Sequence, residues 1–183
     1  QENLKNIKTI KLAACMATIS CLIPNIRVSI SVRKGPNTAV GHSLDQLMKD
    51  HGVTYIIFDS EKDSIKDINK LSHIKFEGLT PEGICFGDIK KYLGNSNQEK
   101  IIFMNISDGL PTKSHKFCVK ELTKKRILEF KREGIDVLSY FVGDKNKNLK
   151  DLKTFQFMYG STGEILDINN FSKVLKDLNK QLV

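Results

Sequence analysis

The stretch "KIIFMNISDGLPTK", Lys100–Lys113, decides the fold that this sequence predicts. Its first half is an almost continuous apolar run, which is typical of a strand covered by other elements on both faces. The run ends in Ser107-Asp108-Gly109, and Pro111 follows at once, so a turn begins where the strand ends. A carboxylate at the end of a buried strand can be a turn former, a phosphoacceptor, a catalytic group or a metal ligand.

Predicted helices and strands alternate on both sides of this strand. Apolar residues at helical spacing predict a helix over 3–22, and alternating apolar and polar residues predict a strand over 26–33. The same criteria predict a short helix (43–52), a strand (53–60), a short helix or turn (63–71), a helix (81–94), a helix (118–134), a strand (135–144), a helix (148–160), a strand (164–168) and a C-terminal helix (169–183). In the helix over 118–134, the residues expected to face inward are Val119, Leu122, Ile127, Leu128 and Phe130. This order predicts one α/β domain, residues 1–183, with a doubly wound, Rossmann-like, mostly parallel sheet and helices on both faces.

The composition is that of a soluble globular protein, with 40% hydrophobic and 27% charged residues in a chain of 183. The longest apolar stretch, 11–32, is interrupted by Pro24 and Arg27, so no membrane-spanning helix is expected. The four cysteines form no Cys-x-x-Cys pair, and all except Cys118 lie in apolar sequence. They are therefore interpreted as reduced core thiols of an intracellular protein.

The chain is basic, with a formal net charge of +8. Such a charge permits attraction to nucleic acid or to acidic protein partners. The lysines do not form a block that alternates with stacking aromatic residues, which single-stranded nucleic-acid binding would favour. A solvated basic surface is therefore the preferred interpretation, and nucleic acid is the least favoured partner.

An enzymatic role for Asp108 finds little support in the surrounding sequence. A haloacid-dehalogenase-like phosphatase needs a second aspartate two residues after its nucleophile, and that position is Leu110. A response-regulator receiver needs an acidic pair near its first strand. The sequence also contains no phosphate-binding Gly-x-x-x-x-Gly-Lys loop, no His-Glu-x-x-His and no nucleophile elbow. We therefore predict no enzyme, or at most a non-catalytic subunit of a larger complex.

Two loops are expected to meet at the carboxyl edge of the predicted sheet, where ligands bind in open α/β folds. One is "GLTPEG", Gly78–Gly83, and the other is "ISDGLPT", Ile106–Thr112. They supply the hydroxyl of Thr80 and the carboxylate of Asp108, which are oxygen donors suited to Mg²⁺ or Mn²⁺. Two alternatives stay open, because Thr80 also suits a helix N-cap and Asp108 also suits a turn.

Three neighbouring residues form a possible second layer around this predicted metal site. Glu82 falls in the first turn of the predicted helix, where a carboxylate interacts favourably with the helix dipole. Ser107 ends the predicted strand, and Gly109 keeps the following backbone tight. Asn105 is interpreted as a strand residue that bonds the neighbouring loop, and Asp59 with Ser60 is interpreted as a strand-end turn.

The pairing of Gly-x-Thr-Pro-x-Gly with a later apolar strand ending in Ser-Asp-Gly resembles the von Willebrand factor A fold. The helix-strand run "ILEFKREGIDVLSYFVGD" follows at the expected place, and the resemblance spans nearly the whole chain. In that family a metal-ion-dependent adhesion site combines an Asp-x-Ser-x-Ser loop, a threonine and an aspartate. The last two fall on Thr80 and Asp108, so the resemblance implies a magnesium-dependent site that binds an acidic side chain of a protein partner.

The chain departs from the family pattern at its first loop. No Asp-x-Ser-x-Ser occurs where that loop would need it, and "ENLKNIKTIKLAACMATI" resembles the family's first helix. The first central strand and its metal loop are therefore expected immediately ahead of Gln1 and are absent from this chain. The alternative is a degenerate, metal-free site.

Within the family, residues 55–86 are closest to intracellular members, the cobalt-chelatase-type subunits and their relatives in large bacteriophages. The stretches "TPEG" and "MYG" are familiar features of those relatives. The resemblance implies a cytoplasmic, virion or phage-infected-cell location and, by analogy, a ring-forming ATPase partner. Three functions follow in order of preference: a metal-dependent protein-binding module, a structural or assembly component with a degenerate site, and a basic nucleic-acid binder.

Overall fold

The computed structural model describes residues 2–23, 25–34, 53–74, 82–94, 100–107, 109–111, 119–142, 149–160 and 164–165, with 174, 176–177 and 179–180. Their elements, in chain order, are α1 (Glu2–Leu22), β1 (Ser29–Lys34), β2 (Val53–Asp59), a 3₁₀ helix (Ile65–His73), α2 (Glu82–Gly94), β3 (Ile102–Ser107), α3 (Val119–Arg132), β4 (Asp136–Phe141), α4 (Leu149–Tyr159) and β5 (Glu164–Ile165). The predicted α/β class is confirmed. The predicted helix at 43–52 and most of the predicted C-terminal helix lie outside the described residues.

The strands of the described chain form two sheets. Strands β3, β4 and β5 are parallel neighbours in that order, with Ile102 opposite Asp136 and Ser107 opposite Phe141. Strands β1 and β2 instead pair antiparallel. The antiparallel pair differs from the parallel pairing that dominates the prediction.

The open edge of β3 faces the end of β1. The carbonyl oxygens of Ile101 and Ser107 accept hydrogen bonds from the β4 side, so the carbonyl of Ile106 points to the opposite edge. There Arg33 Nη2, from β1, lies 3.5 Å from the Ile106 oxygen, and Arg33 Nη1 donates to Asn105 Oδ1 at 2.8 Å. We call this space between β1 and the open edge of β3 the seam.

Helix α1 covers both sheets and therefore crosses the seam. Its Leu12 packs with apolar residues of β3 and β4, whereas its Ala17 packs with Phe58 of β2 and Leu71 of the 3₁₀ helix. Leu12 and Ala17 lie on different sides of the helix, because they are five residues apart. This explains why the sequence of α1 is apolar nearly all round.

The opposite face of β3 and β4 packs against α2, α3 and α4 through an aromatic core. Phe86 of α2 and Phe130 of α3 both contact the ring of Phe103, with centroids 5.1 and 5.0 Å apart from it. Phe155 and Tyr159 of α4 complete the cluster, with their own centroids 4.7 Å apart. Strand β3 therefore packs on both faces, with Phe103 against the aromatic core and Met104 and Ile106 on the side of α1, which explains its nearly continuous apolar run.

Some predicted burial in α3 is wrong. Leu128 was expected to face inward, but 44% of it is exposed, whereas Ile127 and Phe130 are buried as predicted. Leu128 follows Ile127 by one residue, which rotates it about 100° around the helix and away from the core. Thr123 is buried instead, because its hydroxyl is satisfied by the Val119 carbonyl at 2.9 Å.

The prediction of core thiols holds for only one of the described cysteines. Cys85 is buried, and burial raises the pKa of its thiol. Cys15 and Cys21 are exposed on α1, which corrects the prediction, while Cys118 lies outside the described residues. Among the described helices, none is both long and apolar enough to cross a membrane.

The close packing of α2 on α3 depends on a glycine. A Cβ on Gly83 would lie 2.6 Å from Thr123 N and 2.9 Å from Leu122 C, both of which are backbone atoms. A Cβ on Gly87 would meet only the flexible Arg126 side chain, at 3.5 Å. We predict that Gly83→Ala lowers the free energy of unfolding by about 1–3 kcal/mol through overpacking.

Gly87→Ala is the matched control, because alanine favours the same helix without a backbone clash. It should leave the free energy of unfolding unchanged or raise it by up to about 1 kcal/mol. Urea unfolding followed by circular dichroism measures both variants. Equal stability of Gly83→Ala and the wild type would contradict the close approach of the two helices.

Candidate functional site

The predicted metal ligands lie outside the residues that the structure describes. Thr80 precedes the start of α2, and Asp108 lies between Ser107 at the end of β3 and the described Gly109. Their role as ligands therefore remains a prediction. The flanking residues Glu82, Ser107 and Gly109 are described, and they show what surrounds the two loops.

Glu82 begins α2 and is completely buried. Its Oε2 accepts a hydrogen bond of 2.7 Å from the hydroxyl of Tyr159, at the end of α4. Burial, followed by the charge of Glu82, raises the pKa of Tyr159 well above its usual value, so the phenol remains a donor. The sequence placed Glu82 in a first helical turn, but it did not predict that the carboxylate is removed from water.

Arg33 supplies the positive charge beside this buried carboxylate. Its Nη2 lies 3.7 Å from Glu82 Oε1, which is an ion pair rather than a hydrogen bond. Its guanidinium also lies over the ring of Phe86, 5.2 Å from the centroid, and donates to Asn105 as described above. One guanidinium therefore connects β1, α2 and β3 at one end of the seam. We call Arg33, Glu82, Asn105 and Tyr159 the polar cluster.

Two buried oxygen atoms in and beside the polar cluster have unused hydrogen-bonding capacity. Glu82 Oε1 and Ser139 Oγ have no hydrogen-bond partner in the described part of the chain. Ser139 lies opposite Asn105 in the β3–β4 register, so it borders the cluster. Buried polar atoms are almost always paired, so these two oxygens suit water or an incoming polar group.

The turn after β3 is held close to α4. Ser107 Oγ accepts a hydrogen bond of 3.1 Å from the Gly109 N–H, and Gly109 has a φ of 74°. That angle strongly favours glycine, and a Cβ at this position would also overlap the Asp151 carbonyl oxygen. The start of α4 therefore lies against the loop that contains Asp108, at the carboxyl edge of the parallel sheet.

A second polar network surrounds Asp59 at the end of β2, and both oxygens of that carboxylate accept hydrogen bonds. Arg27 and Tyr92 donate to Asp59 Oδ2 at 3.1 and 2.9 Å, and the Glu61 N–H donates to Oδ1 at 3.2 Å. Burial alone would raise the pKa of Asp59, but these hydrogen bonds hold the pKa below its usual value. The sequence predicted a strand-end turn here, and the structure shows that turn with an added tie to α2 through Tyr92.

Sequence reasoning missed most of the polar cluster. It interpreted Asn105 as a strand residue that bonds a neighbouring loop, but Asn105 instead accepts from Arg33. A polar residue inside a continuous apolar run was the available signal for Asn105. Arg33 was one of the alternating polar residues of a predicted strand, and nothing in the local sequence indicated its partners. Among the described residues, no group of three or more His, Cys, Asp or Glu side chains could hold a metal ion.

Comparison with known proteins gives a fold likeness. No protein-family model matches this chain, and no curated protein matches it. The crystal structure of the conserved hypothetical protein BatB from Bacteroides thetaiotaomicron is similar, with a TM-score of 0.59 and 15% sequence identity. The likeness covers 97% of this chain and 86% of that chain. At this identity it shows a shared fold alone.

The Tyr159 hydroxyl should contribute measurably to stability. Tyr159→Phe leaves the Glu82 carboxylate buried without its donor, so we expect the free energy of unfolding to fall by about 1–3 kcal/mol. Tyr55→Phe is the control, because Tyr55 is half exposed. Urea unfolding at pH 7 compares the variants, and an equal small effect at both positions would contradict the proposed importance of this hydrogen bond.

The raised pKa of Tyr159 also predicts a dependence of stability on alkaline pH. Above about pH 10 the unfolded chain releases the phenol proton while the folded chain keeps it, so the unfolded state is favoured. Because of this residue, the free energy of unfolding should fall by about 1.4 kcal/mol per pH unit until the folded pKa is reached. Unfolding at several pH values between 9 and 11 measures this slope. Tyr159→Phe should show a shallower fall, and identical slopes would contradict the raised pKa.

Proposed function

We propose that this protein is a von Willebrand factor A type module that binds a protein partner through a metal ion. In this proposal Thr80 and Asp108 hold Mg²⁺ or Mn²⁺, and the ion accepts a carboxylate from an acidic side chain of the partner. The ion would act as a Lewis acid that fixes this carboxylate. The chain itself would orient the two loops and keep them at one edge of the sheet.

The observation that carries the proposal is the contact of one guanidinium with both sides of the predicted site. Arg33 joins Glu82, two residues after Thr80, to Asn105, three residues before Asp108. Two or three residues of chain reach about 7–10 Å at most, so the loops start close enough to meet on one ion. This supports the pairing of Thr80 with Asp108 that the resemblance implies.

A second contact links the two stretches that are familiar from the chelatase-type and phage relatives. Glu82 lies in "TPEG" and Tyr159 lies in "MYG", and their side chains form the buried hydrogen bond described above. The two stretches are far apart in sequence, so the direct contact between them provides one structural reason for the presence of both. This supports the resemblance at the level of side chains.

The chemistry of the neighbouring donors fits a hard cation. Ser107 and Ser139 present hydroxyl oxygens near the end of the parallel strands, and Mg²⁺ prefers oxygen ligands. Glu82 is already engaged by Tyr159 and Arg33, so it suits a supporting position rather than direct coordination. Ser107 and Gly109 would support the Asp108 loop through their own hydrogen bond.

In this proposal, the strand that the resemblance places ahead of α1 would lie in the seam. Helix α1 covers the seam, and the Ile106 carbonyl on the β3 edge points into it. A strand there would join the two sheets into one, and a loop leaving its carboxyl end would emerge near the polar cluster. An Asp-x-Ser-x-Ser loop in that position would complete the metal site.

The cellular setting in the proposal rests on analogy. An intracellular or phage-encoded assembly and a ring-forming ATPase partner come from the chelatase-type and phage relatives named above. A structural or assembly component with a degenerate metal site is the alternative, and metal binding decides between the two.

We predict saturable binding of one Mg²⁺ or Mn²⁺ ion, weakened at least tenfold in Asp108→Ala because a charged ligand is removed. Isothermal titration calorimetry measures this, with any residues that the natural polypeptide carries ahead of Gln1 kept in place. Asp88→Ala is the matched control, since it removes an exposed carboxylate from α2. It should bind the ion as the wild type does.

Two outcomes would overturn the metal site. A folded wild type without saturable heat would favour the structural alternative, and unchanged affinity in Asp108→Ala would remove this residue from the site. If the ion binds as predicted, an acidic partner should dissociate when EDTA is added.

A further inference from the structure

A basic groove lies between α3 and α4, on the molecule's surface. It has a volume of about 580 Å³ and is lined by Lys120, Leu149, Lys150, Lys153, Thr154 and Phe157. Lys124 borders it, because its Nζ lies 4.4 Å from the centroid of the Phe157 ring. We call these seven residues the lysine groove.

Two of the four lysines, Lys120 and Lys124, contact the same aromatic ring, that of Phe157. Lys120 Nζ lies 5.2 Å from the Phe157 centroid, so two ammonium groups contact the same ring. Cation–π attraction at exposed sites is worth about 0.5–1 kcal/mol for each cation. Phe157 therefore offsets part of the repulsion between these lysines.

The positions of the four lysines make the groove electrostatically unfavourable when no anion is bound. Lys120 and Lys124 are four residues apart on α3, and Lys150 and Lys153 are three apart on α4, so each pair is repulsive. Lys120 and Lys150 also lie in first turns, where the helix dipole favours anions. Glu121 and Asp151 lie in the same turns and reduce the local charge, but four lysines exceed two carboxylates.

We propose that the lysine groove binds an acidic peptide segment of a partner protein, and that this binding does not require the metal ion. Charge complementarity favours glutamate and aspartate side chains beside the four ammonium groups. Leu149 is 55% exposed at the border of the groove and offers a contact for an apolar side chain of the same peptide. Phe157 already packs against two ammonium groups, so it is poorly placed to stack on a nucleic-acid base. A peptide therefore fits better than a polynucleotide.

The test measures fluorescence anisotropy of a labelled peptide, Glu-Glu-Leu-Glu-Glu-Leu-Glu-Glu, with the folded protein in EDTA. EDTA removes any contribution of the proposed metal site, so the two proposals succeed or fail separately. The groove variant carries Lys120→Gln, Lys150→Gln and Lys153→Gln. The control variant carries Lys11→Gln, Lys62→Gln and Lys66→Gln, which remove the same charge from exposed lysines on α1 and near the 3₁₀ helix.

The expected result is saturable binding that weakens at least tenfold in the groove variant and less than twofold in the control variant. Binding should also weaken as salt is raised from 50 to 200 mM, because the attraction is electrostatic. Equal weakening in both variants would assign the binding to net charge and overturn the proposal. So would absence of binding by the wild type, or tighter binding of an eight-nucleotide single strand that depends on the same three lysines.

Discussion

The Arg33 guanidinium in the seam is the interaction on which the described structure depends most. It is the positive charge beside the buried Glu82 carboxylate, and it also donates to Asn105 on the other sheet. A buried carboxylate without such a neighbour would be strongly destabilising, because its lost hydration would not be replaced. Since Glu82 begins α2, the position of that helix relative to β3 depends on a residue of β1. The two sheets are therefore held in a fixed relation by charge at one end of the seam and by the apolar surface of α1 along its length.

Two kinds of contact therefore hold the seam together, apolar packing by α1 and the polar cluster. Helix α1 contributes Leu12 to one sheet and Ala17 to the other. The hydrophobic effect that stabilises these contacts is non-directional. The polar cluster is directional, because each of its hydrogen bonds requires a particular donor and acceptor. A polar network with unfilled capacity at Glu82 Oε1 costs stability. Such a cost is commonly retained at functional sites, where local stability is exchanged for a prepared binding position.

The sequence predicted the elements well and their long-range partners poorly. Helices α1, α3 and α4 and strand β3 follow from the spacing of apolar residues and from glycine and proline at their ends, which are local signals. Antiparallel pairing of β1 with β2 depends on which edges meet, and no local pattern encodes that. The prediction for Leu128 was wrong because Ile127 and Leu128 are adjacent, and only one of two adjacent helical residues can face the core at that point. Within the candidate site, the positions of Glu82, Ser107 and Gly109 could be inferred from the loops. Tyr159 and Arg33 as partners of Glu82 could not, because each comes from a different element of the fold.

The two proposed binding regions share one edge of the molecule, and this has an electrostatic consequence. The Asp151 carbonyl lies against Gly109, so the start of α4, where Lys150 belongs to the lysine groove, is close to the Asp108 loop. Lysines near a cation site repel the cation, and Glu82 cannot fully compensate because Arg33 offsets its charge. The ion alone would therefore bind less tightly than the oxygen ligands would otherwise allow. An acidic partner segment in the groove would neutralise the lysines and strengthen ion binding, and by linkage the ion would strengthen binding of the partner. Coupling of this kind would make the module bind an acidic protein and a divalent cation more tightly when both are present than when either is present alone.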